Sequence, residues 1–232
     1  MNIQKDIDNI SRISIVPSIL EVVCRTTGMG FAAIARVTED KWVACSVHDE
    51  IKFGLVPGGE LRLDTTICNE IRQSGDPVII DHVENDATYS KHHTPAMYGF
   101  QSYISVPINM QDGRFFGTLC AIDPKPSMLN TPEIIGMFKL YATLISLHLK
   151  ATNVLSADEI TAIERDIANE LKDQLDTLSG LNTRSQDGII TDAIYRVAPI
   201  QLNKRSETFI EIINSSSRRI RQLVTKLQDR IS

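Results

Sequence analysis

The chain has 232 residues, 42 % of them apolar and 23 % charged, a balance typical of proteins that fold around a core. The net charge of -5 gives no overall attraction to nucleic acid, so we expect no nucleic-acid partner. No apolar run approaches the roughly 20 residues that span a bilayer. The polar start of the chain also lacks the order of a signal peptide. We therefore expect a cytoplasmic protein without a membrane segment.

The first part of the chain alternates between helix and strand signals. Apolar residues recur at helical spacing from Ile10 to Val23, which predicts one helix. Residues 31–37 and 42–47 are apolar and separated by four polar residues, a pattern typical of a β-hairpin.

The middle of the chain predicts a short helix, a strand and a long loop. The helix lies in TTICNEIRQSG, where Asp64 or Thr65 is expected to cap its start and Gly75 to end it. Residues 78–83 then form a short buried strand. Residues 84–101 show no period, so they predict an irregular loop, and long loops of compact domains are often functional.

A second hairpin and a helix complete this part of the chain. The strands 102–108 and 114–123 flank a turn with an Asp-Gly pair, which is a strong hairpin signal. Thr131 and Pro132 then open a helix that carries Ile134, Phe138, Tyr141, Ile145 and His148 on one face.

Beyond residue 151 only helical signals remain. Two stretches show apolar seams, one from Ile160 to Leu178 and one from Ile213 to Ile231, and Ala198-Pro199 marks the predicted bend between them. Residues 158–192 hold nine acidic and three basic side chains, whereas residues 196–232 hold three acidic and eight basic ones. Folding the two arms together places opposite charges side by side. We therefore expect a helical hairpin.

The order of these elements, and the stretches LDTTICNEIRQSGDPVIIDHVENDATYSKH and YISVPINMQDGRFFGTLCAIDPKP, resemble the GAF domains of bacterial sensor kinases. The resemblance predicts an α+β fold, in which residues 1–150 form a GAF domain with an antiparallel sheet flanked by helices. Alternation places Tyr103, Ser105 and Pro107 on one sheet face, whereas Gly117 lets a backbone or ligand approach closely. The family uses the space under the 84–101 loop for a small ligand, or leaves it empty.

The candidate ligand-binding residues follow from this resemblance. They are aromatic, histidine and methionine side chains in or beside the loop, namely Tyr89, His92, Met97, Tyr98 and Tyr103. His93 and Asp81 lie nearby, and Asp81 is equally suited to capping backbone amides. No cofactor is expected, although an unidentified small ligand can bind here.

Several chemistries are disfavoured by the residues present. The cysteines Cys24, Cys45, Cys68 and Cys120 each lie alone in apolar surroundings, so they are interpreted as buried thiols, and no metal site is expected. The loop 84–101 holds no cysteine for covalent bilin attachment or for a GAF-type methionine sulfoxide reductase.

Residues 151–232 resemble the dimerisation and phosphotransfer hairpin of histidine kinases, through ERDIANELKDQLDTLSG and FIEIINSSSRRIRQLVTKLQDRIS. The resemblance implies a homodimer joined by a four-helix bundle. All five histidines precede the hairpin, and GLNTRSQDGII occupies the expected phosphoacceptor position. The resemblance thus implies a non-catalytic sensor or adaptor that contacts a response regulator or a histidine kinase. The alternatives are the truncated sensor region of a histidine kinase and a GAF-fold enzyme.

Overall fold

The computed structural model describes residues 2–183 and 204–231. The helices in this part of the chain are α1 (Ile3–Ser11), α2 (Val16–Thr27), α3 (Ile67–Ser74), α4 (His93–Tyr98), α5 (Pro132–Ala151), α6 (Ala157–Thr183) and α7 (Lys204–Ile231). The strands are β1 (Phe31–Val37), β2 (Trp42–Asp49), β3 (Glu60–Leu61), β4 (Val78–Ile80), β5 (Ser102–Asn109) and β6 (Phe115–Asp123).

Within the described residues the strands form one six-stranded antiparallel sheet in the order β3-β2-β1-β6-β5-β4. The predicted hairpins over β1–β2 and β5–β6 are both confirmed, and Ser105 pairs with Cys120 across the second one. Gly113 ends its turn at a φ of 83°, a value that glycine adopts without strain. This register decides which residues of β5 and β6 share a face.

The two faces of the sheet belong to two separate cores. Ile104, Val106 and Ile108 of β5 face the helices α2 and α5 in the larger core. Tyr103 faces the other side, where it packs with residues of β1, β2 and α3. The predicted alternation along β5 is therefore confirmed, and it separates a helical layer from the face that carries α3 and α4.

The single helix expected from Ile10 to Val23 is wrong, because the chain forms two helices there. Helix α1 ends at Ser11, and Pro17 lies in the first turn of α2. Proline is well tolerated at that position, since its missing N–H would have no partner inside the helix. Ile13 and Ile15 are buried between the helices, so the apolar pattern continues through the break and conceals it.

The expectations for α3 and for the following loop need correction. Gly75 ends α3 as predicted, with a φ of 79°. The residue at the N-cap is Thr66 instead of Asp64 or Thr65, and its side chain makes no capping hydrogen bond. The stretch 84–101 is also not irregular throughout, because it contains two short 3-10 helices and α4.

Helix α5 begins as predicted, with the Thr131 side chain accepting a hydrogen bond from the Ile134 N–H. This 20-residue helix is long enough to cross a membrane, and an 18-residue window of it has a mean hydropathy of 1.3. However, 72 % of that window is buried inside the protein. The apolar character of α5 is therefore that of a core helix, with Phe138 and Tyr141 among its fully buried side chains.

The C-terminal helices pack on the rest of the chain. Helix α6 contacts α2, α7 contacts α5, and the two helices contact each other. Ile167, Leu171, Ile220 and Leu227 of the predicted seams join the larger core beside α2 and α5. The predicted bend at Ala198-Pro199 lies outside the described residues.

Polar contacts fix this arrangement at three places. The Ser14 hydroxyl donates to Glu164 (2.5 Å), and Arg219 pairs with Glu170 (2.6 Å) between α6 and α7. The third place is Gln174, whose side-chain oxygen accepts hydrogen bonds from the Tyr141 hydroxyl (3.1 Å) and the Ser216 hydroxyl (2.7 Å). Gln174 thus joins α5, α6 and α7 at one buried point.

Candidate functional site

A cavity of about 40 Å³ lies on the sheet face opposite the helical layer, between the sheet, α3 and α4. This is about three times the space that one water needs. Aromatic side chains supply much of its wall, including Phe31, Trp42, Phe53, Tyr98, Phe100 and Tyr103. The mainly apolar wall is typical of small-molecule sites, although the volume is far below the roughly 300–1,000 Å³ of a usual ligand pocket.

The segment after β2 places Phe53 in the cavity wall. The carboxylate of Asp49 accepts hydrogen bonds from the backbone N–H groups of Ile51, Phe53 and Gly54, at 3.2, 3.0 and 2.9 Å. One carboxylate therefore folds this short segment back over the sheet. The ring of Phe53 then lies 4.9 Å from that of Phe31 and 6.1 Å from that of Tyr98.

Helix α4 forms a lid that is tied to the segment preceding α3. The Thr94 hydroxyl donates to the Thr65 carbonyl (2.8 Å), and the Tyr98 hydroxyl contacts the Thr65 side chain (2.6 Å). Gly99 ends the helix at a φ of 72°. Outside the lid lies a depression of about 490 Å³ that shares Phe53 and Tyr98 with the cavity. These two rings, with Leu55, Leu61, Phe100 and Ile122, which also line both, separate the cavity from the outer space.

The predicted site residues fall into two groups. Tyr98 and Tyr103 line the cavity, and Met97, with 55 % of its surface exposed, lines the outer depression. Tyr89 and His92 do not line the cavity, and both instead contact Glu70 of α3. The distances are 3.2 Å from the Tyr89 hydroxyl and 3.0 Å from His92 Nε2. Burial, together with the Glu70 charge, raises the pKa of Tyr89 to about 12.

Two further residues considered from the sequence have structural roles. The ring of His93 stacks on His92 at 4.5 Å. Asp81 caps backbone amides, which was one of its two interpretations. The amides are those of Leu129 and Asn130 before α5 (2.8 Å each), and not the amides of the loop. Neither residue lines the cavity.

The sequence did not reveal that two cysteines meet at the cavity. Cys68 of α3 and Cys120 of β6 are buried and line it together, and Cys120 lies close enough to Cys68 to affect its pKa, while its own thiol donates to the Ala33 carbonyl (3.6 Å). The available signal was the hairpin register, which places Cys120 opposite Ser105, on the face that also carries Tyr103. What the sequence could not supply was the packing of α3 on β6.

The Cys68 sulfur lies among hydrogen-bond donors. The hydroxyls of Thr118 and Tyr103 lie 3.3 and 3.4 Å from it, and the buried indole of Trp42 is close by. The proximity of Cys120, followed by hydrogen bonding with the hydroxyls of Thr118 and Tyr103, lowers the pKa of Cys68 in spite of its burial. The same contact with Cys68, together with burial, raises the pKa of Cys120.

The other two cysteines differ in surroundings. Cys24 and Cys45 belong to the larger core, on the opposite side of the sheet. Burial is the main cause that raises the pKa of Cys24, and it raises the pKa of Cys45 to about 12. Among the described residues, no group of three or more His, Cys, Asp or Glu side chains is arranged to hold a metal ion.

Comparison with known proteins agrees with this fold. The family model described as "GAF domain" matches residues 11–149, which is more than half of the chain. No curated protein matches the chain.

Similar solved structures include a type II free methionine-R-sulfoxide reductase from Thermoplasma acidophilum, with 17 % identity and a TM-score of 0.44 over 56 % of this chain and 86 % of that one. The GAF domain of the Acinetobacter phosphoenolpyruvate-protein phosphotransferase has 16 % identity and a TM-score of 0.47, over 66 % and 98 % of the two chains. The PixJ GAF domain from Thermosynechococcus elongatus has 12 % identity and a TM-score of 0.49, over 62 % and 87 %. These similarities concern the fold alone.

Proposed function

Because this chain belongs to the GAF domain family, which indicates a sensory or regulatory role, we propose that it is a non-catalytic signalling protein. A small molecule enters the cavity beneath α4, and the C-terminal helices transmit the change to a partner. The partner we propose is a response regulator or a histidine kinase of a two-component system. The protein acts in the cytoplasm as a homodimer, and it modulates the pathway by contact.

The observation that carries this proposal is that the cavity and the helical layer share the same two strands. Tyr103 and Cys120 contact the cavity, whereas Ile104 and Ala121, their immediate neighbours, pack in the core beneath α5. Because consecutive residues of a strand point to opposite faces, a shift of β5 or β6 moves both sets together. Binding of a molecule in the cavity therefore also displaces residues of the helical layer.

Helix α5 carries this shift onward to the C-terminal helices. It packs on β5 with one side and on α7 with the other. The hydrogen bond from Tyr141 to Gln174 links it to α6 as well. A displacement of α5 therefore changes the packing of both helices that we propose contact the partner.

Exposed charges on α6 and α7 support a contact role for these helices. Asp166 and Asp173 of α6, and Arg218 and Arg221 of α7, are all exposed. Complementary charge steers partners into an encounter and selects among them. The proposed partner surface therefore consists of the outer faces of α6 and α7.

Native mass spectrometry of freshly purified protein tests the sensory part of the proposal. We expect a small molecule that stays bound in the gas phase and is released on denaturation. Leu61→Phe fills the cavity wall and should abolish its retention. Val56→Phe, at a residue that is 63 % exposed and does not line the cavity, is the matched control.

Hydrogen–deuterium exchange of the same samples tests the transmission. Removing the bound molecule should change amide exchange in α5, α6 and α7 as well as around the cavity. Equal retention by the wild-type chain and Leu61→Phe, or exchange changes confined to α3 and α4, would contradict the proposed function.

A further inference from the structure

The presence of two cysteines, Cys68 and Cys120, in the wall of one cavity is a chemical feature that a passive binding cavity does not require. Both side chains line the cavity, and both are almost completely buried, with 4 % and 5 % of their surface exposed. They come from elements far apart in sequence, and the packing of α3 on β6 brings them together. The pair is therefore fixed by the fold.

The surroundings of the two sulfurs give each cysteine a different chemical role. The hydroxyls of Thr118 and Tyr103, at 3.3 and 3.4 Å from the Cys68 sulfur, favour its thiolate form, because hydrogen bonds to an anion stabilise it. Cys120 stays a thiol, because a neighbouring thiolate and burial oppose its ionisation. A thiolate nucleophile next to a protonated thiol is the arrangement that disulfide formation uses.

The space next to this pair limits what can react with it. The cavity holds about 40 Å³ and has an almost wholly apolar wall, so it admits a molecule of very few atoms. The hydroxyl of Tyr103 lies within reach of the sulfur and supplies a polar partner for such a molecule. Entry from the outer depression passes Phe53 and Tyr98, which belong to both spaces.

We propose that Cys68 and Cys120 form a thiol redox centre that reduces hydrogen peroxide inside the cavity. The inference deepens the proposed function and rests on it in one respect, since the cavity must admit small molecules. It adds a covalent sensing event, driven by a small oxidant, to the reversible binding proposed above.

The reaction balances in two steps. The thiolate of Cys68, having released its proton, attacks one peroxide oxygen, the O–O bond breaks, and the departing hydroxide takes up a proton to become water. Cys68 is then a sulfenic acid. The Cys120 thiol attacks this sulfur, an S–S bond forms, and the hydroxyl leaves with the Cys120 proton as a second water. The two thiols lose two electrons in total, and the peroxide gains them.

The disulfide changes the molecule where the proposed signal begins. It ties α3 covalently to β6 at the cavity, and β6 also faces the helical layer through Leu119 and Ala121. Reduction by a dithiol restores the open pair. The centre can therefore switch repeatedly.

The test uses the full chain, reduced and then freed of reductant. Hydrogen peroxide is added, remaining thiols are alkylated under denaturing conditions, and the intact mass and peptide map are measured. We expect the loss of two hydrogens and a Cys68–Cys120 disulfide, with Cys24 and Cys45 recovered as alkylated thiols. Cys120→Ser should stop at a Cys68 sulfenic acid that dimedone traps, and Cys68→Ser should lose the reaction completely.

Two further variants distinguish specific oxidation of the Cys68–Cys120 pair from general thiol oxidation. Tyr103→Phe keeps the ring but removes one donor to the Cys68 sulfur, so the oxidation rate should fall about three- to ten-fold. Cys24→Ser, in the opposite core, should leave the rate unchanged. Oxidation of Cys24 or Cys45 as fast as Cys68 would overturn the proposal.

Xenon NMR on the same protein separates this inference from the proposed function, because xenon enters apolar cavities without reacting. If xenon enters a cavity that Leu61→Phe closes while Cys68 stays reduced in peroxide, the redox centre is refuted and the sensory cavity stands. If neither xenon nor peroxide reaches the cavity, both proposals fail together.

Discussion

Gly117 occupies a position in β6 where the neighbouring backbone leaves no room for a Cβ atom. A Cβ at this position would overlap the carbonyl group of Ala35 in the neighbouring strand β1. The contact lies between two central strands of the sheet, where neither backbone can move aside without disturbing its ladder. The expectation that Gly117 permits a close approach is therefore confirmed, and the approaching group is backbone.

Replacing Gly117 with alanine should lower the free energy of unfolding by about 2–4 kcal/mol, since the overlap forces strain into packed strands. Urea denaturation followed by circular dichroism measures the change. Gly180→Ala adds the same methyl group in helix α6, where nothing lies within 4 Å of it, and should stabilise the protein by about 0.5–1 kcal/mol. Equal effects of the two substitutions would contradict this explanation.

The residues of the candidate site show what the sequence could and could not predict. Tyr103 was assigned to the correct face, because strand alternation and an Asp-Gly turn are local signals. Tyr89 and His92 were placed in the right loop, but their contact with Glu70 depends on how the loop folds onto α3. The meeting of Cys68 and Cys120 depends on packing between distant elements, which local periodicity does not encode.

At the scale of elements, the helical layer contains several polar side chains that are buried within its apolar core. His148 is one of them, on α5, where its Nδ1 pairs with the Leu144 carbonyl (2.9 Å). Its Nε2 is buried and has no hydrogen-bond partner. Glu164 of α6, held by Ser14, is the charged group whose field favours protonated His148.

Acidification should weaken the helical layer through His148. Burial lowers the pKa of His148, more strongly than Leu144 and Glu164 raise it, so the folded protein takes up a proton less readily than the unfolded chain. Stability is therefore highest above the unfolded value near 6.5 and falls as the pH decreases through that range. Urea midpoints from pH 8 to pH 5 measure this dependence.

The substitution His148→Leu should flatten this pH profile. His93→Leu is the control, since His93 is exposed and lies on the other side of the sheet, beside His92. A profile of unchanged slope in His148→Leu would show that other groups cause the dependence.

Gln174, which joins α5, α6 and α7, should contribute strongly to the stability of the protein. Gln174→Leu keeps a similar volume but leaves the hydroxyls of Tyr141 and Ser216 buried without their acceptor. Each unpaired hydroxyl costs about 1–3 kcal/mol. We expect faster hydrogen exchange in α6 and α7 and a lower unfolding midpoint. Gln222→Leu makes the same exchange at an exposed position of α7 and should have little effect.

At the scale of the whole molecule, the apolar seams of α6 and α7 already have partners within the chain. The homodimer was implied by the resemblance to the kinase hairpin, and two amphipathic helices alone would also leave an apolar face uncovered. Here Ile167 and Ile220 pack in the core that α2 and α5 share. The homodimer stays a prediction, and a dimer through the same seams competes with this packing.

Light scattering at micromolar concentration measures that competition. We expect a dimer whose fraction rises in Gln174→Leu, because loosening the junction frees the seams for a second chain. Gln222→Leu should match the wild-type chain. A monomer in all three proteins would contradict both the dimer and the competition.

The chain should neither hydrolyse ATP nor accept phosphate on its C-terminal helices. All five histidines precede α6, and the one in α5, His148, is 1 % exposed. Phosphoryl transfer needs an accessible nucleophile in line with the donor. Incubation with labelled ATP, and separately with a phosphorylated response regulator, should leave the chain unlabelled. An acid-labile label within residues 156–232 would refute this prediction.

Trp42 gives the molecule an intrinsic optical reporter. It is the single tryptophan of the chain, 2 % exposed, and its indole lies in the cavity wall beside Cys68. Indole emission responds to polarity and to quenching by nearby sulfur. Its intensity and wavelength should therefore record entry of a molecule into the cavity, or oxidation of the thiols, in unlabelled protein and in real time. A rearrangement of α6 and α7, on the far side of the sheet, does not change the tryptophan emission unless it extends to the cavity. Fluorescence can therefore measure the event at the cavity separately from the movement of these helices.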